Sequence, residues 1–212
     1  GDCGAKAVVC GAAQAERLTA ALAGNTVSPE ARFVVGEWPG FRPYESLKIG
    51  QPNGRPADRF GGFTMTYTSG TTGRPRGVRR PTFDVDPDML ATSFTGFLQM
   101  FGITPGGVNL VAAPLYHTAV INYCLYSLHF GHTAVLMDGW CAEGFLRRIE
   151  EYSVTNTHVV PTHLIRILQL PEDVRGRYDV SSMETFIHAA APCPEQVKRD
   201  ILSWFGPVVY EY

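Results

Sequence analysis

Tyr67-Thr-Ser-Gly-Thr-Thr-Gly-Arg-Pro-Arg-Gly-Val78 is the stretch that decides how this chain is read. The alternating residues 63–68 read as a strand, which runs straight into a loop, 69–77, of glycine and hydroxyl residues. Gly70, Gly73 and Gly77 let the backbone curl until successive N–H groups point inward at one anion. Ser69, Thr71 and Thr72 add hydroxyl donors, and Arg76 adds a fixed positive charge. That combination suits the terminal phosphates of a nucleotide. It is not a Walker A loop, because the GxxxxGKS/T spacing is absent. On composition alone a flexible surface loop is the better reading, since Gly, Ser and Thr are common in loops. Only the order of the residues separates the two.

Outward from the loop, short apolar runs alternate with amphipathic segments, the pattern of an α/β domain whose strands and helices form a layered sheet. Before it, residues 7–10 and 32–35 read as strands and 12–23 as a helix. Residues 36–62 are rich in Pro, Gly and charge and read as a long loop. After it, helices are expected over 87–101, 119–130, 143–152 and 162–170. A last helix is expected to open on Pro194 and stop at Gly206. Strands are expected over 109–113, 133–137, 157–160 and 185–190. Phe94, Phe97, Met100 and Phe101 read as one buried helix face, and Phe145, Leu146, Ile149 and Tyr152 as another.

The chain has 212 residues, 45% of them hydrophobic, and a formal net charge of -2. That length allows a buried core in one large domain or two small ones. With no Lys/Arg stripe there is no reason to expect nucleic acid. The most apolar region, 108–128, holds Asn109, Pro114, His117 and Asn122, which argues for a buried strand and helix and against a membrane span. No signal peptide is read. Cys3, Cys10, Cys124, Cys141 and Cys193 have neither CxxC nor zinc-like spacing; four of them could pair, but free thiols in a reducing cytoplasm are the simpler reading. His129 and His132 stand three apart without a third ligand, which argues against a metal there. The chain opens on Gly1 and closes inside the strand-like PVVYEY, so it is expected to be an internal piece of a longer protein.

The string YTSGTTGRPRGV closely resembles YTSGTTGxPKGV, the signature of the adenylate-forming superfamily. That superfamily includes acyl-CoA synthetases, firefly luciferase and the adenylation domains of peptide synthetases. Arg76 stands where the family usually has Lys; it keeps the charge but not the compact ammonium shape. Pro114-Leu-Tyr-His117 resembles the family's PLFH segment, and Val160-Pro-Thr162 its VPT element ahead of a helix. His188-Ala-Ala-Ala-Pro192 resembles its SGAAP stretch, with Ala189 at the glycine position. The matches keep the family's order over 63–212, roughly two thirds of the chain. Before residue 63 the likeness is only general.

The resemblance implies part of the large N-terminal domain of the adenylate-forming fold. Residues 63–212 would be its nucleotide- and acyl-binding subdomain, with the small C-terminal domain outside the chain. It implies that Thr68, Ser69, Gly70, Thr71, Thr72, Gly73, Arg76 and Gly77 hold the phosphates of ATP. Ala189, Ala190, Ala191, Pro192, Glu211 and Tyr212 would line the adenine, and Tyr116 and His117 would border the acyl pocket. The reaction implied is that of an acyl-CoA synthetase. A carboxylate attacks the α-phosphate of ATP, pyrophosphate leaves, and the thiol of CoA then displaces AMP, with Mg²⁺ offsetting charge.

The family's catalytic Glu and Lys would fall beyond Tyr212. The chain alone is therefore expected to complete neither half-reaction, and no metal ligand is expected within it. Peptide-synthetase domains usually carry an Asp for the substrate amine where this chain reads PLYHTAVI. Its absence favours an acid without an α-amine, and Tyr116, Val120, Ile121 and Tyr123 suggest an apolar one. His158, His163 and His188 have no partner spacing and read as structural. Two alternatives stay open: activation of another class of acid, and a nucleotide-binding or interaction module that has lost catalysis.

Overall fold

A computed structural model describes residues 3–24, 27–68, 75–82 and 84–212, and divides the chain into two compact units. The first comprises 1–59 with 67–79, the second 60–66 with 80–212.

In the first unit, β1 (Val8–Gly11), β2 (Arg32–Val35) and β3 (Arg42–Pro43) form a parallel sheet in that order. The valines of β1 and β2 suit a pleated backbone. Helix α1 (Ala12–Leu22) joins these two strands and buries Ala15 and Leu22. Gly36 turns the chain out of β2 at φ +98°, where a Cβ would stand 3.2 Å from that of Ala12. Pro43 has no N–H to give a ladder, and it lies on the edge strand. The stretch 36–62 is thus less featureless than its composition suggests. It also holds a 3₁₀ turn, Tyr44–Leu47, anchored by Ser46 Oγ donating to Pro43 O at 2.7 Å. Strand β4 (Thr66–Thr68), whose first residue belongs to the second unit, and β5 (Arg76–Val78) form a separate two-stranded sheet. Residues 63–65 fall outside β4, because a ladder extends only as far as its partner, and β5 is 3 residues long.

The second unit opens with α2 (Pro87–Gln99), which Asp86 caps by accepting from Asp88 N at 2.8 Å. There follow β6 (Val108–Val111), α3 (Thr118–His129), β7 (Thr133–Leu136), α4 (Ala142–Tyr152), β8 (Asn156–Val159) and α5 (Pro161–Leu168). The unit continues with α6 (Glu172–Arg175), β9 (Thr185–His188), α7 (Glu195–Phe205) and β10 (Val209–Glu211). Its strands form one parallel sheet in the order β10-β9-β8-β6-β7. The two-residue period of the strands sorts their side chains between two helical layers. Leu110 and Phe186 join Phe145, Leu146, Ile149, Leu164, Ile167 and Ile201 from α4, α5 and α7. One residue further on, Val111 and Ile187 meet α2 and α3, through Leu98, Val120, Tyr123 and Cys124.

Several expectations shift by a residue or two. Pro194 caps α7, and Glu195 is its first helical residue. Met100 is 78% exposed because α2 ends at Gln99, and Leu98 takes the buried place. Tyr152 is likewise exposed, and Val154 closes the core beyond α4. The one-turn α6 had no amphipathic pattern to announce it. All five cysteines are free.

Strand β8 is buried throughout yet carries Asn156, Thr157 and His158. Asn156 accepts from Asn109 Nδ2 at 2.6 Å and places its own amide 3.0 Å from His132 Nδ1. His132 Nε2 lies 2.7 Å from Thr104 O. Thr157 Oγ1 donates to Leu110 O at 2.7 Å. His132 is therefore a link in a satisfied buried network, which accounts for it without a metal.

Candidate functional site

From β6 the chain passes outward to β7, then crosses back to β8 on the other side of β6 and continues to β9 and β10. The direction of winding reverses between β6 and β8. In open parallel sheets such a reversal leaves a crevice at the carboxyl ends of the strands, where ligands bind. The segments at that edge here are 112–117 after β6, Val160 after β8, 189–194 after β9, and Tyr212 after β10.

After β6, His117 N donates to Pro114 O at 3.1 Å and closes a turn, and His117 O accepts from Ile121 N at 3.0 Å to start α3. The Tyr116 ring stands 4.5 Å from that of His117 and is 75% exposed. The next residue, Thr118, donates its hydroxyl to Thr66 Oγ1 at 3.0 Å. Two turns of α3 then present Ala119, Asn122 and Tyr123 to a cavity of 320 Å³, completed by Phe94, Phe97, Tyr126 and Tyr212. Of the residues expected to make the acid side apolar, Tyr123 lines this cavity, whereas Val120 packs against the sheet and Tyr116 faces solvent.

Tyr212 Oη lies 3.2 Å from His158 Nε2, and the His158 ring stacks on Tyr123 at 4.6 Å. Burial pushes the His158 imidazole down to about 4, so it is neutral at physiological pH. Burial also pushes the Tyr123 phenol well up, and the Tyr212 phenol adds to the effect. Neither tyrosine is a base at neutral pH. In the sequence alone His158 reads as structural and Tyr123 only as apolar lining. What marks them is spatial: a histidine in a strand, met by aromatic rings from a helix and from the far edge of the sheet.

After β9, Ala189 is buried and donates to Val159 O at 3.3 Å. Ala190 takes φ +72°, a left-handed conformation that glycine adopts freely and alanine resists. Ala190, Ala191 and Pro192 are exposed. Strand β10 pairs Glu211 with His188, so Tyr212 ends level with the start of this turn. The carboxylate of Glu211 is held by Lys198 of α7, which lowers its pKa and raises that of the lysine.

In the first unit, Thr68 is exposed on β4 with its hydroxyl 3.5 Å from Arg76 O, and Arg76 and Gly77 lie on β5. Ser69, Gly70, Thr71, Thr72 and Gly73 lie outside the described residues. Among the described residues, no three His, Cys, Asp or Glu side chains converge as a metal site. None of their helices is long and apolar enough to cross a membrane.

The model of the AMP-binding enzyme family matches residues 1–212. The chain belongs to that family. Among curated relatives, acyl-CoA synthetase 7 of Caenorhabditis elegans is 29% identical over 142 residues, covering 65% of this chain and 26% of its own length. A 2-succinylbenzoate–CoA ligase of Bacillus licheniformis is 33% identical over 153 residues, 70% of this chain and 29% of that enzyme. The matched stretch thus spans under a third of the length of these relatives. Among solved structures, the N-terminal domain of FACL13 from Mycobacterium tuberculosis superposes with a TM-score of 0.75 at 23% identity, over 99% of this chain and 50% of that one. The fold of this chain is that of the N-terminal domain of adenylate-forming enzymes.

Proposed function

We propose that the full-length protein is a ligase that activates an apolar carboxylic acid without an α-amine as its acyl-adenylate, and passes the acyl group to CoA. Its thiols suit a reducing cytoplasm. The observation that carries this reading is the shared sheet edge: the Pro114–His117 turn, the 189–192 turn and Tyr212 all follow carboxyl ends of one parallel sheet at its reversal. In this reading the acid lies beside Tyr116 and His117 with its tail toward Tyr123, and the adenine lies along 189–192 and the backbone of 211–212. Thr68, Arg76, Gly77 and residues 69–73 take the phosphates.

The chemical difficulty is charge, since a carboxylate must approach a polyanion while a second anion departs. Fixed amide and hydroxyl donors and the Arg76 guanidinium offset that charge in proportion to how well they are preorganised. Mg²⁺ would neutralise phosphate charge when bound. The described residues supply no carboxylate cluster for it, and none of the roles assigned here depends on it.

The test is AMP release from ATP by the full-length protein with CoA and a panel of fatty, aromatic and amino acids, the thioester identified by mass. Thioester from an apolar acid supports the reading. AMP without thioester would leave acid activation but remove CoA as acceptor. Neither product from any acid would favour the non-catalytic module.

A further inference from the structure

The acid side of the site continues beyond the first cavity. Phe94 of α2 and Tyr126 of α3 stack face to face, their ring centroids 4.4 Å apart at an interplanar angle of 15°. Both rings line the 320 Å³ cavity beside Tyr212, and both also line a second cavity of 160 Å³. The second cavity runs between α2 and α3 past Leu90, Ala91 and Leu125 to Gly61 and Phe63. Phe63, Leu90 and Phe94 in turn line a third cavity of 490 Å³, with Val85, Met89 and Ser93. The stacked pair is thus a partition in a largely apolar groove that begins at Ala119, two residues past His117.

We propose that the Phe94–Tyr126 stack is a gate that sets the length of acyl tail the protein accepts. This rests on the function proposed above. The occupant is the unbranched apolar tail of the acid, argued from continuity: the groove opens on the same turn of α3 that follows the proposed acid-binding His117. With the rings stacked, a short tail fills the first cavity and a longer one meets aromatic edges. Each methylene that gains a place in such a slot is worth roughly tenfold or more in selectivity.

The experiment measures kcat/KM of the full-length protein for straight-chain acids from butyric to palmitic, and KM for ATP. Phe94→Ala is expected to raise the ratio of long-acid to short-acid kcat/KM by at least about tenfold, with KM for ATP unchanged. Ala91→Phe added to that variant, filling the second cavity, is expected to remove the gain. If Phe94→Ala does not fold, Tyr126→Leu carries the same expectation. An unchanged ratio in a folded variant overturns the gate, as does a gain that survives the filling of the second cavity. If the wild type activates no acid at all, the functional reading fails first, and the gate falls with it. Activity with an unmoved ratio sinks the gate alone.

Discussion

Tyr212, at the end of β10, places its hydroxyl 3.2 Å from Nε2 of His158 in β8, reaching across the intervening strand β9. The contact joins the last residue of the chain to the strand beside the winding reversal. It also explains how His158 can be 5% exposed in a parallel sheet, since one nitrogen has a partner and one ring face has Tyr123. Its Nδ1 has none, so the imidazole is stable there only without charge.

That neutrality has a pH signature. His158 and His163 titrate near 4 in the fold against 6.5 ordinarily, chiefly through burial. The unfolded chain therefore binds more protons between those values, and stability present above about pH 6.5 is lost as the pH falls toward 4. Thermal melts between pH 7 and 4.5 should show a midpoint falling by several degrees. His158→Phe, which keeps a ring on Tyr123, should flatten the slope. Equal slopes in the two proteins would remove His158 as the titrating group.

Two residues with positive φ give a backbone test. Ser153 ends α4 at φ +48° and Ala190 opens the turn after β9 at φ +72°. Glycine at a left-handed helix end is favoured, so Ser153→Gly should stabilise by up to about 1 kcal/mol in denaturant unfolding. Ala190→Val should cost about 2 kcal/mol, because a β-branched side chain is worse there than alanine. A neutral Ala190→Val would mean that the turn relaxes out of the left-handed region.

The amino ends of β6 and β8 depend on Asn109, Asn156 and His132. Removing one member strands the others without water, at about 1–3 kcal/mol per unsatisfied group. Asn109→Ala should therefore destabilise by that order and speed amide exchange along β6 and β8. Unaltered exchange in those strands would show that the network is dispensable for register.

Most of the second unit is legible in the sequence because period and punctuation agree there. Phe145, Leu146 and Ile149 recur at helical spacing, and Gly206 stops α7 with φ +81° where a stop is read. Less legible is what depends on distant partners. The polar letters of β8 argue against a buried strand until Asn109, His132 and Leu110 supply its hydrogen bonds. Strand β3 is two residues long and exists only because β2 offers an edge. The quoted motifs fall on the turns after β6 and β9, each contiguous in sequence. The groove behind them is assembled from α2, α3 and the end of β10, and no contiguous motif can report it. Glu211 illustrates the same limit, since its pairing with Lys198 is a tertiary fact.

Acid activation is read from carboxylate-dependent exchange of labelled pyrophosphate into ATP by the full-length protein, without CoA, in wild type and in Arg76→Lys and Arg76→Ala. Exchange that requires an apolar acid, survives Arg76→Lys and drops by roughly two to three orders of magnitude in Arg76→Ala is the predicted result. No exchange with any acid, or exchange indifferent to Arg76→Ala, would contradict the account.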